Sequence, residues 1–193
     1  MPVTRPGRLY LVRHGRTAHN RLRYAGWRDV PLDAVGRGQA VEVARQLARR
    51  TLHVVFSSPL RRAVDTARPI AAAHGVGLEL RDGLKEIDYG EFQDVLKAHR
   101  KLRLRSAYRR RPMPGGESLR DVFDRVAPVR EEVEEELGAG RDVAVVAHFW
   151  SLRMLAGQLE GLSFDDVLAR EDYSPKNGVA TTRFGRRPRS TVS

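Results

Sequence analysis

Residues 143–147 read Val-Ala-Val-Val-Ala, five consecutive apolar side chains in a sequence where 31% of residues are charged. A strand apolar on both faces has to be covered on both faces, and that environment belongs to the middle of a parallel sheet lying between two layers of helix. The rest of the chain agrees with this. Short apolar runs at Leu9–Val12 and His53–Phe56 read as further strands, and the segment Asn177–Phe184 reads as an edge strand. Amphipathic stretches alternate with them. In Gly36–Arg49, Ala40, Val43, Ala44 and Leu47 recur at helical spacing, and in Leu60–Ala73, Ala63, Ala67 and Ile70 do so, with Pro69 expected to kink that helix or end it early. Ser118–Leu137 reads as a long helix with an acidic, solvated second half, and Trp150–Leu159 as a helix directly after the apolar strand. Strand and helix in alternation predict an α/β fold with a mostly parallel sheet. No repeat or linker divides the 193 residues, which are read as one domain.

Composition excludes several chemistries. The sequence has no cysteine, which rules out disulfides, thiolate metal sites, Fe–S clusters and cysteine nucleophiles together. It shows no signal-peptide pattern and no apolar stretch of membrane-spanning length, so a cytoplasmic protein without membrane contact is expected. The formal net charge of +11 first suggests a polyanionic partner. Its distribution argues otherwise. Lys97–Arg111 holds eight cations and no acid, and the segment from Arg183 onward holds four more, leaving 23 cations against 24 acids elsewhere. The basic stretch contains a single aromatic residue, Tyr108, and so makes a poor stacking platform for nucleic acid. By itself it reads as a solvated helix.

The candidate site lies where the strands end, because open α/β sheets bind ligands beyond the carboxyl ends of their strands. The first strand runs into Arg13-His14-Gly15-Arg16-Thr17, the second into Ser57-Ser58-Pro59-Leu60-Arg61-Arg62, and the apolar strand into His148. If those strands are neighbours, two histidines and several guanidinium groups meet at one edge. That is a phosphate pocket: arginine neutralises phosphoryl oxygens with a planar fork that stays charged. A neutral imidazole whose one nitrogen is held protonated by a carbonyl can attack phosphorus with the other. Gly15 leaves room for close approach beside it.

These residues resemble a known family. Leu11-Val12-Arg13-His14-Gly15-Arg16-Thr17 with Asn20, then Gly26-Trp27-Arg28-Asp29-Val30-Pro31-Leu32, Gly36 and Gln39-Ala40 are similar to the ordered motifs of the histidine phosphatase superfamily, the phosphoglycerate mutase-like group. So are Ser57–Ala63, Leu84–Gly90, Pro114-Gly115-Gly116-Glu117-Ser118, and Val145–His148 with Arg153. The resemblance implies a three-layer sandwich with a mixed, mostly parallel central sheet flanked by helices. It implies that His14 carries the phosphoryl group, that Arg13, Arg62 and His148 clamp it, and that Glu86 is the proton donor. Gly15, Arg16, Thr17, Asn20, Gly26, Trp27 and Phe149 fall at substrate-contacting positions. It implies no cofactor and no metal, the arginines taking the part that Mg²⁺ plays in other phosphoryl transfers. It also makes residues 91–116 a basic lid-like insertion, while the composition of 185–193 reads as a mobile basic tail.

Three positions depart from the family pattern. Phe149 follows His148 where glycine is usual, Arg16 stands where Glu or Gln is common, and Glu91-Phe92-Gln93-Asp94 replaces a frequent Trp-Glu-Gly. The expected activity is hydrolysis of a small anionic phosphomonoester, preferred to mutase chemistry because classical mutases are longer. A mutase-like phosphotransferase is the alternative. A regulatory module with an inactive pocket that binds a polyanion is a third reading, and a homodimer is left open.

Overall fold

The computed structural model describes residues 6–20, 22–170 and 178–181, the last four as backbone. Five strands form one sheet in the order β3-β2-β4-β1-β5, with β1 at Leu9–Arg13, β2 at Val54–Ser57, β3 at Leu78–Leu80, β4 at Val143–Ala147 and β5 at Gly178–Thr181. β1 and β2 both run parallel to β4, β3 runs parallel to β2, and β5 closes the edge antiparallel to β1. The apolar run is therefore the central strand. Its five residues are completely buried, and they alternate between two cores. Val143, Val145 and Ala147 pack on one side with Leu9, Leu11 and Phe56, while Ala144 and Val146 pack on the other with Tyr10, Val12 and Val55.

The second of those cores is covered by α1 (Ala34–Leu47) and α2 (Arg61–His74). The first is covered by α4 (Leu119–Gly138), α5 (Phe149–Leu159) and α6 (Phe164–Ala169), and α3 (Leu104–Ala107) is a single turn between the two halves of the chain. The result is the three-layer arrangement the sequence implied. Local signals set the helix ends. Asp33 caps α1 by accepting from the Gly36 N–H at 2.8 Å, and Ser118 with Asp121 forms a reciprocal capping box at the start of α4. α2 continues past Pro69 to His74 and stops at Gly75 in the left-handed region, so the expected break at the proline is absent.

Three segments differ from the sequence reading. β3 and α6 were not anticipated: three strand residues are too few to show alternation, and α6 is only six residues long. The basic stretch 97–111 is not a helix. Outside α3 it is irregular, and its first part pairs with the loop after β1 through the bridge Arg23↔Leu96 and the bonds Tyr24 N–H to Val95 O (3.2 Å) and Lys97 N–H to Leu22 O (2.9 Å). The expected basic tail at 185–193 lies outside the described residues. No helix among the described residues is long and apolar enough to cross a membrane.

Candidate active site

Because β1, β4 and β2 are adjacent and parallel, their carboxyl ends deliver Arg13-His14, His148 and Ser57-Ser58 to one place. A cavity of about 160 Å³ opens there, walled by Arg13, His14, Thr17, Asn20, Gly26, Arg62, Glu86 and Phe149 among others. His148 stands behind this wall with its ring centroid 5.0 Å from that of His14.

His14 sits on a tight support. A Cβ on Gly15 would lie 2.5 Å from the carbonyl oxygen of Gly36, and one on Gly36 would lie 2.0 Å from that of Arg16, so both positions require glycine for the loop to lie against the start of α1. The Gly15 N–H donates to Thr66 Oγ1 at 3.0 Å, which ties the same loop to α2. His14 Nδ1 lies 2.7 Å from the Gly15 carbonyl oxygen. A carbonyl only accepts, so Nδ1 carries the proton and Nε2 keeps its lone pair. Burial, then Arg62 and Arg13, hold the His14 pKa well below the ordinary imidazole range. Burial and Arg62 do the same to His148. Both rings are neutral at neutral pH.

Arg62 is 1% exposed, its guanidinium donating to the carbonyls of Gly26 (2.7 Å) and Arg28 (2.8 Å), while the neighbouring Arg61 turns outward toward Asp65. Helical geometry at the start of α2 admits only one of the two. Burial lowers the Arg62 pKa to about 10, which still leaves it charged at neutral pH, and burial lowers that of Arg13 as well.

Glu86 is the one carboxylate lining the cavity among the described residues. Its oxygens accept from the backbone N–H groups of Ile87 (3.0 Å), Phe149 (3.1 Å) and Trp150 (3.1 Å), so it caps the N-terminus of α5. The nearby acids are used elsewhere: Asp82 pairs with Lys85 and Asp88 accepts from Gly90 N–H. The Glu86 carbonyl is itself held, by Trp27 Nε1 at 2.7 Å and by Arg125 at 2.9 Å.

Phe149 fits without blocking the cavity. Its ring stands edge-on to Trp150, with centroids 5.1 Å apart, and lies 5.6 Å from the Arg13 guanidinium, a cation–π contact that braces that side chain. Asn20 accepts from Thr17 through Oδ1 and has its Nδ2 buried without a partner among the described residues. Three predicted contacts lie outside the wall. Arg16 is half-exposed and paired with Asp33 at 2.7 Å, Gly15 is spent on the packing against Gly36, and Trp27 is occupied by the Glu86 carbonyl and by Lys85 over its ring.

The wall also contains Arg23, Tyr24 and Tyr89, which sequence reasoning passed over, and with them Lys97 of the basic stretch and Trp150. Lys97 donates to the Asn20 carbonyl at 2.8 Å and lies over Tyr24, and burial followed by Arg13 lowers its pKa. Residues 22–24 pair with 95–97 and so bring Arg23 and Lys97 into one wall, a pairing between distant segments with no local signal. Two other cations of the basic stretch, Arg109 and Arg110, are engaged by Asp165 of α6.

The model of the histidine phosphatase superfamily (branch 1) matches residues 9–177. The chain belongs to that superfamily. A 2,3-bisphosphoglycerate-dependent phosphoglycerate mutase of Cytophaga hutchinsonii is 34% identical over 171 residues, 82% of this chain and 80% of that protein. A glucosyl-3-phosphoglycerate phosphatase of Mycolicibacterium vanbaalenii is 35% identical over 173 residues, 82% of this chain and 76% of that one. The native structure of a mycobacterial glucosyl-3-phosphoglycerate phosphatase superposes with a TM-score of 0.74 at 34% identity, covering 86% of this chain and 84% of that one. The Cytophaga mutase is of similar length, so length does not separate mutase from phosphatase here.

Proposed function

We propose that this protein is a phosphatase acting on a small phosphomonoester that carries a second anionic group, by way of a phosphohistidine on His14. The observation that carries the reading is the state of His14. Its Nδ1 proton is committed to the Gly15 carbonyl, and its free Nε2 belongs to a cavity walled by Arg13, Arg62 and a single carboxylate. In the first step Nε2 attacks phosphorus, the bond from phosphorus to the ester oxygen breaks, and Glu86 gives that oxygen a proton. In the second step Glu86 takes a proton from water, the water oxygen attacks phosphorus, and the P–N bond breaks to release inorganic phosphate and neutral His14. Arg13, Arg62 and His148 meet the charge on the phosphoryl oxygens in both steps.

Hydrolysis and transfer share the first step, and they part at whether water or a second phosphate of the bound molecule meets the phosphohistidine. A mutase has to retain a doubly phosphorylated intermediate and present its other phosphate to the same histidine. Arg23 and Lys97 on the outer wall supply a second cationic position, suited to a carboxylate or further phosphate. The relatives' names point the same way, since each includes a phosphoglycerate unit, which carries both groups. The mutase reading has its own support in the name of the Cytophaga relative.

Phosphate release over a panel of phosphomonoesters, with His14→Ala as the blank, tests the proposal. Release by the wild type and loss of nearly all kcat in the variant are expected. Isomerisation of 3-phosphoglycerate faster than phosphate release overturns hydrolysis in favour of transfer. Equal inactivity of both proteins, with steeply salt-dependent binding of nucleic acid, overturns the enzyme reading.

A further inference from the structure

Ser58 is the first residue beyond β2, and its N–H continues the ladder to β4 by donating to the Val146 carbonyl at 3.0 Å. This rung sets Ser58 beside His148, the first residue beyond β4. Both are fully buried. Ser58 Oγ lies 2.8 Å from His148 Nε2, and the same oxygen accepts from the Leu60 N–H at 3.3 Å. His148 Nδ1 is buried and has no hydrogen-bond partner among the described residues.

Hydrogen bonding decides where the proton of the neutral ring sits. The Leu60 N–H occupies one acceptor position of the Ser58 hydroxyl, and the hydroxyl proton has a single acceptor in reach, His148 Nε2. We propose that Ser58 is a positioning residue that holds His148 in its Nδ1–H tautomer, turning a neutral histidine into a fixed hydrogen-bond donor for a phosphoryl oxygen on His14. The opposite tautomer would present a lone pair to that oxygen and repel it. Ser58 does not line the cavity and would act through His148 alone. No bond is made or broken. Thr66 does comparable work on the other side, fixing the His14 loop through Gly15 N–H.

The proposal rests on the phosphatase reading for its consequence in turnover but not for its first test. Nitrogen-15 NMR of the wild type, with His148 assigned by loss of its signals in His148→Gln, is expected to show a protonated, pyrrole-like Nδ1 and an unprotonated Nε2. A protonated Nε2 overturns the proposal whatever the activity. In Ser58→Ala the two tautomers are expected to mix, and kcat to fall about tenfold, the factor that one hydrogen bond of ordinary strength controls. KM is expected to change little, and Ser58→Thr, which keeps the hydroxyl, to restore both the tautomer and the rate. A Ser58→Ala protein with wild-type tautomer and kcat overturns the inference. A wild type that releases no phosphate overturns the functional reading, while the NMR result still stands or falls alone.

Discussion

His14 and His148 are enclosed beside two guanidinium groups, and both bind a proton much less readily than a free imidazole. In the unfolded chain each takes its proton near pH 6.5, but in the fold only at lower pH. As pH falls below about 6.5 the unfolded state therefore binds more protons, and stability declines until the depressed folded pKa is reached. Each histidine contributes up to about 1.4 kcal/mol per pH unit in that window. Urea unfolding between pH 7 and 5.5 is expected to show the wild type losing stability, with a slope shallower by about that amount in His14→Ala. A wild type whose pH slope matches that of the variant would show that His14 is an ordinary imidazole. At this scale the sequence was informative for residues attached to strand ends, His14 and Arg13 above all. It was silent on Arg23, and it placed Lys97 in a lid-like insertion without pairing the two, because the wall they share is made by contact between segments more than seventy positions apart.

The Glu86 loop shows what an element contributes. α4 sends Arg125 back to the carbonyls of Gly83 (2.7 Å) and Glu86 (2.9 Å), and Arg125 pairs with Glu117 at 2.8 Å where both side chains are largely covered. Glu117 in turn accepts from the Asp88 N–H, so the Pro-Gly-Gly-Glu-Ser element braces the loop that bears the carboxylate. Arg125→Ala leaves Glu117 without its cation and the Gly83 carbonyl without this donor, while the Glu86 carbonyl keeps Trp27 Nε1. A loss of about 2 kcal/mol is expected in urea unfolding. A drop in kcat greater than the rise in KM is also expected, because the Glu86 loop loses one of its anchors while Arg13 and Arg62 stay in the cavity wall. Unchanged stability and kcat would show that the loop holds itself. The motif was visible in the sequence, but its task was not: a glutamate before a helix reads as a capping signal, and only packing shows that it grips another loop.

Charge belongs to the whole molecule. Lys101, Arg103, Arg105 and Arg111 are exposed, whereas Lys97 lines the cavity and Arg109 and Arg110 are engaged by Asp165. Under the proposed function the exposed cations would act on an anionic substrate at a distance, over a screening length of about 10 Å at 0.1 M salt. Raising ionic strength is expected to lower kcat/KM and leave kcat nearly unchanged, and replacing Lys101, Arg103 and Arg105 together by glutamine to flatten that dependence. Identical salt dependence in the triple variant would show that the stretch is merely solvated. Arg109 and Arg110 are unsuitable for this test, since their removal also releases Asp165 on α6.

The amino-acid sequence by itself determined the layered α/β fold, the buried central strand and the residues that follow each strand. Those features are written in local patterns: an apolar run with no polar face, helical spacing, and short motifs beside them. Tertiary structure alone decided the rest. It placed β4 between β1 and β2, which brings His148 against both His14 and Ser58, and it folded the basic stretch against the loop after β1, which carries Lys97 into the wall. The reason is physical. A sheet whose spatial order differs from its chain order gathers residues that no spacing along the chain relates, and a site made of such neighbours is read only from their contacts.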